Sequence, residues 1–395
     1  MAIEASTHEV AARKLRLGMV GGGRGAFIGA VHRMAARLDD KYMLVAGALS
    51  SDPANARVSA TDLGIAPDRA YSDFEEMAQK ERKREDGIDV VAIVTPNHLH
   101  FKACKAFLQA GIHVICDKPL TLTLGEAIEL VKIARASKLV FSLTQNNTGY
   151  PLVRQARQMV KDGTLGDIRV ISASYIQDWL TTPLDQEGQK QAVWRTDPKQ
   201  QGVGGSIGDI GVHAFNLAAF ISNLELESVC ADLKTFVPGR KLDDNANVLM
   251  RYKGGASGNL WTSQVAVGNF NRLAIKIYGT KGGIEWCGED NDNLTYAPFG
   301  EPVRQITRGG PGTLPVAAHA TRMPPRHPEG YIEGFANLYS NTAELIWALK
   351  DNRKPDPMCT DLPTVEDGAR GLAFIEACVK SSAAGGVWTK ASIEL

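Results

Sequence analysis

The sequence predicts an α/β protein in two parts, a doubly wound parallel sheet of the dinucleotide-binding type followed by an α+β part built on an antiparallel sheet. Three observations predict it. Short, continuous apolar strands alternate with helical segments through about residue 145. A glycine-rich turn joins the first strand to the first helix. After Tyr150, strand-like runs follow one another with little helix between them.

In the first part, Leu15–Val20 is an apolar run ending in glycines, and Ala26–Leu38 has helical spacing. Tyr42–Leu49 is β-rich. Val90–Thr95 reads VVAIVT, His113–Cys116 reads HVIC and Leu139–Thr144 reads LVFSLT. Helical segments fill the gaps, notably His98–Ala110 and Leu124–Ala136. Right-handed crossovers between such strands give the nucleotide-binding architecture. In the second part, helix Leu152–Lys161 leads to strand Ile168–Ile176, and a helix runs from about Asp209 to Ile221. Strands are expected at Ser228–Val237, Ala246–Tyr252, Gly258–Val265, Leu273–Tyr278 and Gly283–Trp286, with turns such as Lys253-Gly254-Gly255. The segment 291–326 is rich in Pro and Gly and reads as an irregular loop. Helices at about Glu329–Lys350 and Thr364–Ser382 close the chain. These runs divide it into a tail (1–13), a dinucleotide-binding unit (14–148) and a second unit (149–395), the last helices being free to pack back on the first unit.

Composition narrows the class. The 395 residues are 44% hydrophobic and 22% charged, a globular balance. Lys+Arg and Asp+Glu are 44 each, which leaves no electrostatic footprint for nucleic acid or an anionic membrane. No stretch approaches the ~20 apolar residues of a membrane span, and the polar start lacks the apolar core of a secretory signal. Six scattered cysteines, with no Cys-x-x-Cys pair, argue for reduced thiols in a cytoplasmic protein and against a structural zinc; no metal is expected.

The first strand runs into Gly21-Gly22-Gly23-Arg24-Gly25-Ala26-Phe27-Ile28-Gly29. Gly21 suits the tight turn and Gly23 the approach of a pyrophosphate, which the following helix N-terminus attracts. Either Gly25/Ala26 or Gly29 fills the third glycine role. The second strand ends Ala48-Leu49-Ser50-Ser51-Asp52. Leu49 or Ser50 stands where an NAD site usually puts an acid on the ribose 2′-hydroxyl. Ser50 with Arg24 nearby suits a 2′-phosphate, which favours NADP over NAD by a small margin. Asp52 comes slightly late but is able to swing in.

Two further stretches are specific. Thr95-Pro96-Asn97-His98-Leu99-His100 is followed by Cys116-Asp117-Lys118-Pro119-Leu120. They resemble the T-P-N-x-x-H and E-K-P motifs of the glucose–fructose oxidoreductase/inositol dehydrogenase (Gfo/Idh/MocA) family, with Asp117 in place of the usual Glu. Gly208-Asp209-Ile210-Gly211-Val212-His213 resembles its D-x-G-x-H motif, and Trp194-Arg195 with Gly202–Gly205 resembles the segment before it. The resemblance covers nearly the whole chain in order and spacing. It implies a Rossmann domain and a substrate-binding α/β domain whose large open sheet mediates homodimers or homotetramers. It also implies a cis peptide before Pro119, and a loop Thr95, Pro96, Asn97, His98 running along the cofactor with Asn97 near the nicotinamide.

The chemistry follows from residue types. Lys118 ends a parallel strand, at the sheet edge where ligands bind, and its ammonium suits a developing alkoxide. Asp209 and His213 are four apart on an expected helix and share a face. An ordinary His titrates near pH 6.5, which suits proton transfer, and Asp209 suits a substrate hydroxyl. Lys118, Asp209 and His213 are therefore the expected catalytic set. Trp194, Arg195 and His327 are weaker candidates for lining a sugar pocket; His98 and His100 serve equally well as packing or capping groups. The expected activity is NAD(P)-dependent hydride transfer at a ring carbinol of a sugar, glycoside or inositol. A non-sugar carbonyl or diol, or a non-catalytic redox sensor, are the alternatives.

Overall fold

The computed structural model describes residues 14–395, so the expected tail 1–13 lies outside the described residues. Six strands form the first sheet: β1 (Leu15–Gly21), β2 (Tyr42–Ala48), β3 (Ala70–Tyr71), β4 (Val90–Val94), β5 (His113–Cys116) and β6 (Phe141–Leu143). Their order is β3-β2-β1-β4-β5-β6 and every neighbouring pair is parallel. β4 is buried along its whole length, which is why Val90–Val94 is continuously apolar rather than alternating. Strand order reverses between β1 and β4, and the crevice outside their carboxyl ends is the ligand position of this architecture.

The second sheet has nine strands: β7 (Ile168–Ile176), β8 (Leu226–Lys234), β9 (Asn245–Tyr252), β10 (Ser257–Ser263), β11 (Arg272–Gly279), β12 (Gly282–Cys287), β13 (Asn293–Pro298), β14 (Arg304–Thr307) and β15 (Thr389–Lys390). The order is β14-β13-β12-β11-β7-β10-β9-β8-β15, antiparallel except for the parallel pair β7/β10. One face, carrying Ile171, Ala173, Val248, Leu260 and Ile275, is buried, and helices Val212–Ser222 and Val365–Ala383 pack on this sheet.

The expected irregular loop 291–326 instead holds β13, β14 and the short helix Pro315–His319. Proline and glycine masked the strands. β13 tolerates Pro298 as its last residue, because the pairing with β14 ends at Tyr296 and asks no N–H of it on that side. β3 and β15, two residues each, are too short for any periodicity to reveal.

Helix Tyr331–Lys350 crosses back to the first sheet. Phe335, Tyr339, Ala343 and Ile346 share one buried cluster with Leu15, Leu17, Val90 and Ala92. Tyr42 Oη donates to the Tyr339 carbonyl at 2.6 Å, and His32 Nδ1 lies 2.8 Å from Tyr339 Oη. Arg322 and Lys350 add ion pairs to Asp39 and Asp89. The two sheets are thus held to one another by the chain's own C-terminal third. All six cysteines are free, four of them buried. Among the described residues, no helix is long and apolar enough to cross a membrane.

Candidate active site

The glycine turn is built for close backbone approach. Gly21 and Gly22 have φ of +80° and +75°, open to glycine at little cost. A Cβ on Gly29 would stand 2.3 Å from Gly22 Cα, so Gly29, rather than Gly25 or Ala26, lets the helix pack on the turn. A Cβ on Gly23 would stand 2.7 Å from the Leu49 carbonyl, which accepts from Gly23 N at 3.1 Å. Gly23 is therefore also required by the end of β2. Helix Phe27–Leu38 begins at Ala26 with no side-chain cap and no acid in its first turn. Its first N–H groups and partial positive charge face the crevice uncompensated, which fits a pyrophosphate.

Around the expected ribose position, Arg24 makes a two-pronged pair with Asp62, at 2.5 and 2.8 Å. Asp52 does not swing in: its carboxylate caps helix Pro53–Asp62, accepting from Ala54 N at 3.1 Å and Asn55 N at 3.4 Å. Ser50 Oγ accepts from Asp52 N and Asn55 Nδ2.

At the ends of β4 and β5, two loops are stitched together. His100 places Nδ1 2.7 Å from the Pro119 carbonyl and Nε2 2.9 Å from the Thr95 carbonyl. Carbonyls only accept, so this fully buried ring satisfies both contacts only as the imidazolium. Burial opposes that charge, but Cys116, Asp117 and the carbonyl contact outweigh it and push the pKa up to about 9. His100 is thus a structural tie, one of the roles the sequence left open. The Lys118–Pro119 bond is cis. Asn97 donates to the Gln201 carbonyl and side chain, at 3.1 and 3.2 Å, which ties this loop to the second half of the chain. Thr95 Oγ1 and His98 Nδ1 are buried without partners. Pro96 ends the strand with φ −59° and leads into a turn at Asn97–Leu99.

The second half supplies the rest. Residues Ile207–Gly211 form a wide π-type turn before helix Val212–Ser222, where the sequence suggested a regular helix from Asp209. Asp243 imposes it, accepting from Gly205 N at 2.6 Å and Ile207 N at 2.8 Å. Lys118 Nζ reaches the Asp209 carbonyl at 2.6 Å and its Oδ1 at 3.2 Å. Arg195 Nε lies 3.3 Å from Asp209 Oδ2, which also accepts from Gln264 Nε2 at 2.9 Å. Burial opposes the Asp209 charge, but Lys118 and Arg195 outweigh it and hold this carboxyl well below the usual range. His213 is driven the other way: burial first, then Lys118, push its pKa well below 6.5, against Asp209. Its Nδ1 lies 3.3 Å from Asn147 Nδ2, and the Tyr175 ring is 5.9 Å away. Arg195 stacks on Trp194 at 4.2 Å.

Lys118, Asp209, His213, Arg195 and Trp194 therefore come together. His327 does not join them: it is exposed, with its ring against the Pro325 carbonyl of its own loop. Tyr331, four residues on, does sit within electrostatic reach of Asp117, Tyr175 and Arg195. Sequence reasoning missed Asn147, in the turn Asn146–Gly149 after β6, Gln264, just past β10, and Tyr175, near the end of β7. Another donor group, His319, Asp356 and Cys359, has its ligand atoms within 4.8 Å of one another, with Cys359 Sγ 3.5 Å from His319 Nε2. A thiol–imidazole hydrogen bond accounts for that contact, and no cleft residue takes part.

Residues 15–145 match the oxidoreductase family with the NAD-binding Rossmann fold, and 153–285 match the GFO/IDH/MocA C-terminal domain. The chain belongs to the Gfo/Idh/MocA oxidoreductase family. It is 35% identical to the uncharacterized oxidoreductase YfiI of Bacillus subtilis, covering 96% of this chain and 98% of that one. A crystal structure of an oxidoreductase from Sinorhizobium meliloti is 54% identical, with a TM-score of 0.87 over 96% of this chain and 100% of that one. An inositol dehydrogenase homolog from Azotobacter vinelandii, complexed with NADH and myo-inositol, is 35% identical, with a TM-score of 0.87 over 96% and 98%. As a family member with this dinucleotide fold, the chain is an NAD(P)-dependent dehydrogenase/reductase.

Proposed function

We propose that this enzyme transfers hydride between a nicotinamide dinucleotide and a ring carbinol of a sugar, glycoside or inositol. The observation that carries the reading is the meeting of Lys118 from the first half with Asp209 and His213 from the second, beside an uncapped helix N-terminus. Bound in the crevice, the dinucleotide supplies a carbon that takes or gives hydride. Gly21, Gly22, Gly23, Gly25 and Ala26 would hold its pyrophosphate, with Thr95, Pro96 and His98 along its length; the unpartnered Thr95 Oγ1 fits that role.

The chain's own groups then handle the proton. Lys118 Nζ, held by Asp209, donates to the reacting oxygen and stabilises alkoxide character. Neutral His213 takes the hydroxyl proton in oxidation and returns it in reduction. With Asn147 Nδ2 facing the ring, Nδ1 accepts and Nε2 carries the proton, a resting form that binds a substrate oxygen but takes no proton. Turning that amide to present its oxygen fixes Nδ1–H and frees Nε2 as the base; the imidazolium so formed is what returns the proton in reduction. Arg195 over Trp194 offers a polar edge beside an aromatic face, which suits a polyhydroxyl ring. The Azotobacter relative's complex with myo-inositol supports a cyclic polyol.

On cofactor choice, the small margin for NADP read from Ser50 and Arg24 rests on a cation that Asp62 already occupies. Asp52, spent as a helix cap, adds no ribose ligand for NAD either. The enzyme therefore takes NAD, and takes NADP to the extent that Arg24 leaves Asp62. Homo-oligomers form through the outer face of the nine-stranded sheet. A panel of inositols, sugars and glycosides, followed by reduced-cofactor absorbance with NAD and NADP, tests the activity. Turnover with a ring polyol is expected. Inactivity on the whole panel with turnover of a keto acid or aromatic diol would overturn it.

A further inference from the structure

Helix Lys190–Arg195 is only six residues long, yet it touches both ends of the crevice. At one end, Lys190 Nζ reaches across to the Gly25 carbonyl at 3.4 Å. A Cβ on Gly25 would meet that same nitrogen first, at 3.5 Å, so the ammonium stands directly over the glycine turn. At the other end, Arg195 Nε lies 3.3 Å from the Asp209 carboxylate. Lys190 and Arg195 are separated by about 7.5 Å of helix rise, at ~1.5 Å per residue. The helix therefore spans from the pyrophosphate position to the catalytic carboxylate, along the line a dinucleotide must follow.

The charges around the turn make Lys190 distinctive. Two other cations stand at the turn: Arg24 is already paired with Asp62, and Arg33 Nη1 donates to the Gly22 carbonyl at 2.7 Å. Among the described residues, Lys190 has no carboxylate partner; its one polar contact is a long bond to a neutral carbonyl. It is exposed, so its ammonium is free to turn. A pyrophosphate seated on the uncapped helix N-terminus at Ala26 would place two negative charges beside it.

We propose that Lys190, reaching over from the second half of the chain, binds the pyrophosphate of the dinucleotide, so that helix Lys190–Arg195 closes over the crevice as a clasp. This rests on the dinucleotide reading above. The clasp couples cofactor binding to the site: drawing Lys190 onto the phosphates holds Arg195 against Asp209 and Trp194 beside the substrate position. A pairing with a charged acceptor replaces a long bond to a neutral carbonyl, and is the stronger of the two.

The test uses the full-length protein and NADH fluorescence titration, with Lys190→Ala and Lys190→Arg, in low and high salt. Lys190→Ala is expected to weaken NADH binding about tenfold, or ~1.4 kcal/mol. It should also flatten the salt dependence, while Lys190→Arg stays within about threefold of wild type. Amide hydrogen exchange gives a second readout. NADH should slow exchange across residues 190–195 in wild type and not in Lys190→Ala. Because Lys190 is exposed, the unliganded variant should melt with wild type. Tight NADH binding by Lys190→Ala, with protection of 190–195 intact, would overturn the clasp while leaving the dinucleotide site standing. Absence of NADH and NADPH binding in wild type would instead overturn the dinucleotide reading itself.

Discussion

At the scale of single residues, the site sets a neutral base against a charged pair. Burial and Lys118 both disfavour a charge on His213, so its folded pKa lies below 6.5 and it is neutral at and above that pH. Oxidation should therefore show an acidic limb below pH 6.5, where His213 gains its proton, and a flat region above. His213→Ala should remove that limb and lower turnover by about 10²–10⁴-fold, with NADH affinity nearly unchanged. Near-wild-type turnover on an active substrate would dismiss His213 as the proton carrier. Asn147 acts through His213, since the atom it turns toward Nδ1 fixes the tautomer. Asn147→Asp would set a carboxylate beside that nitrogen and favour the imidazolium, so the acidic limb should move to higher pH. A pH–rate profile identical to wild type would show that the ring is held by other means. At the adenosine end, Asp62→Ala should release Arg24 and raise NADP affinity while leaving NAD unchanged, as competing fluorescence titrations would show.

At the scale of elements, the turn from β1 into helix Phe27–Leu38 succeeds by contact between two glycines far apart in the loop. Gly29→Ala would push a methyl into Gly22 at 2.3 Å, against backbone that has nowhere to move. It should cost about 1–3 kcal/mol of stability and weaken dinucleotide binding, measured by denaturant unfolding and NADH titration. A Gly29→Ala variant as stable and as tight-binding as wild type would show that the turn relaxes. This element also shows what the sequence carried. The strand, the glycines and the helix were readable, because apolar periodicity and glycine are local signals. Which glycine packed against which was not, because that depends on how far the loop bulges. The same divide runs through the catalytic groups. Lys118, Asp209 and His213 sat in motifs. Asn147 and Gln264 reach them only through the folding of separate strand ends, and no local pattern marks that. His327 failed for the converse reason: a polar residue near a helix start says nothing about which way its loop turns.

At the scale of the molecule, the nine-stranded sheet leaves one face uncovered, and that face mixes exposed apolar side chains with polar and charged ones such as Asn247, Asn259 and Lys276. Strand alternation puts Ile171, Val248 and Leu260 inward and leaves the other set outward. That outward set includes Val170 on β7, Leu249 on β9, Trp261 on β10 and Tyr278 on β11, each more than a third exposed. Val170 and Tyr278 are direct cross-strand partners, and Leu249 opposes Asn259, two residues from Trp261. These groups lie on one face of four adjacent strands, Val170 beside Tyr278 and Leu249 diagonal to Trp261. Large apolar side chains gathered on one exposed sheet face suit a protein–protein contact. A second copy meeting it about a two-fold axis would bury every member twice, the arrangement a self-complementary surface favours. Trp261, the largest of them, stands on β10, an inner strand of these four, and large aromatic groups commonly anchor such contacts. Trp261→Glu would place two like charges close to the axis without touching the buried face of β10. The wild type is expected to sediment as a dimer or tetramer, and the Trp261→Glu variant as a smaller species at the same concentration. Its melting curve should depend less on protein concentration, because less of its stability comes from association. A wild type that sediments as a monomer at micromolar concentration, or a variant that assembles as the wild type does, would remove this face as the oligomer interface.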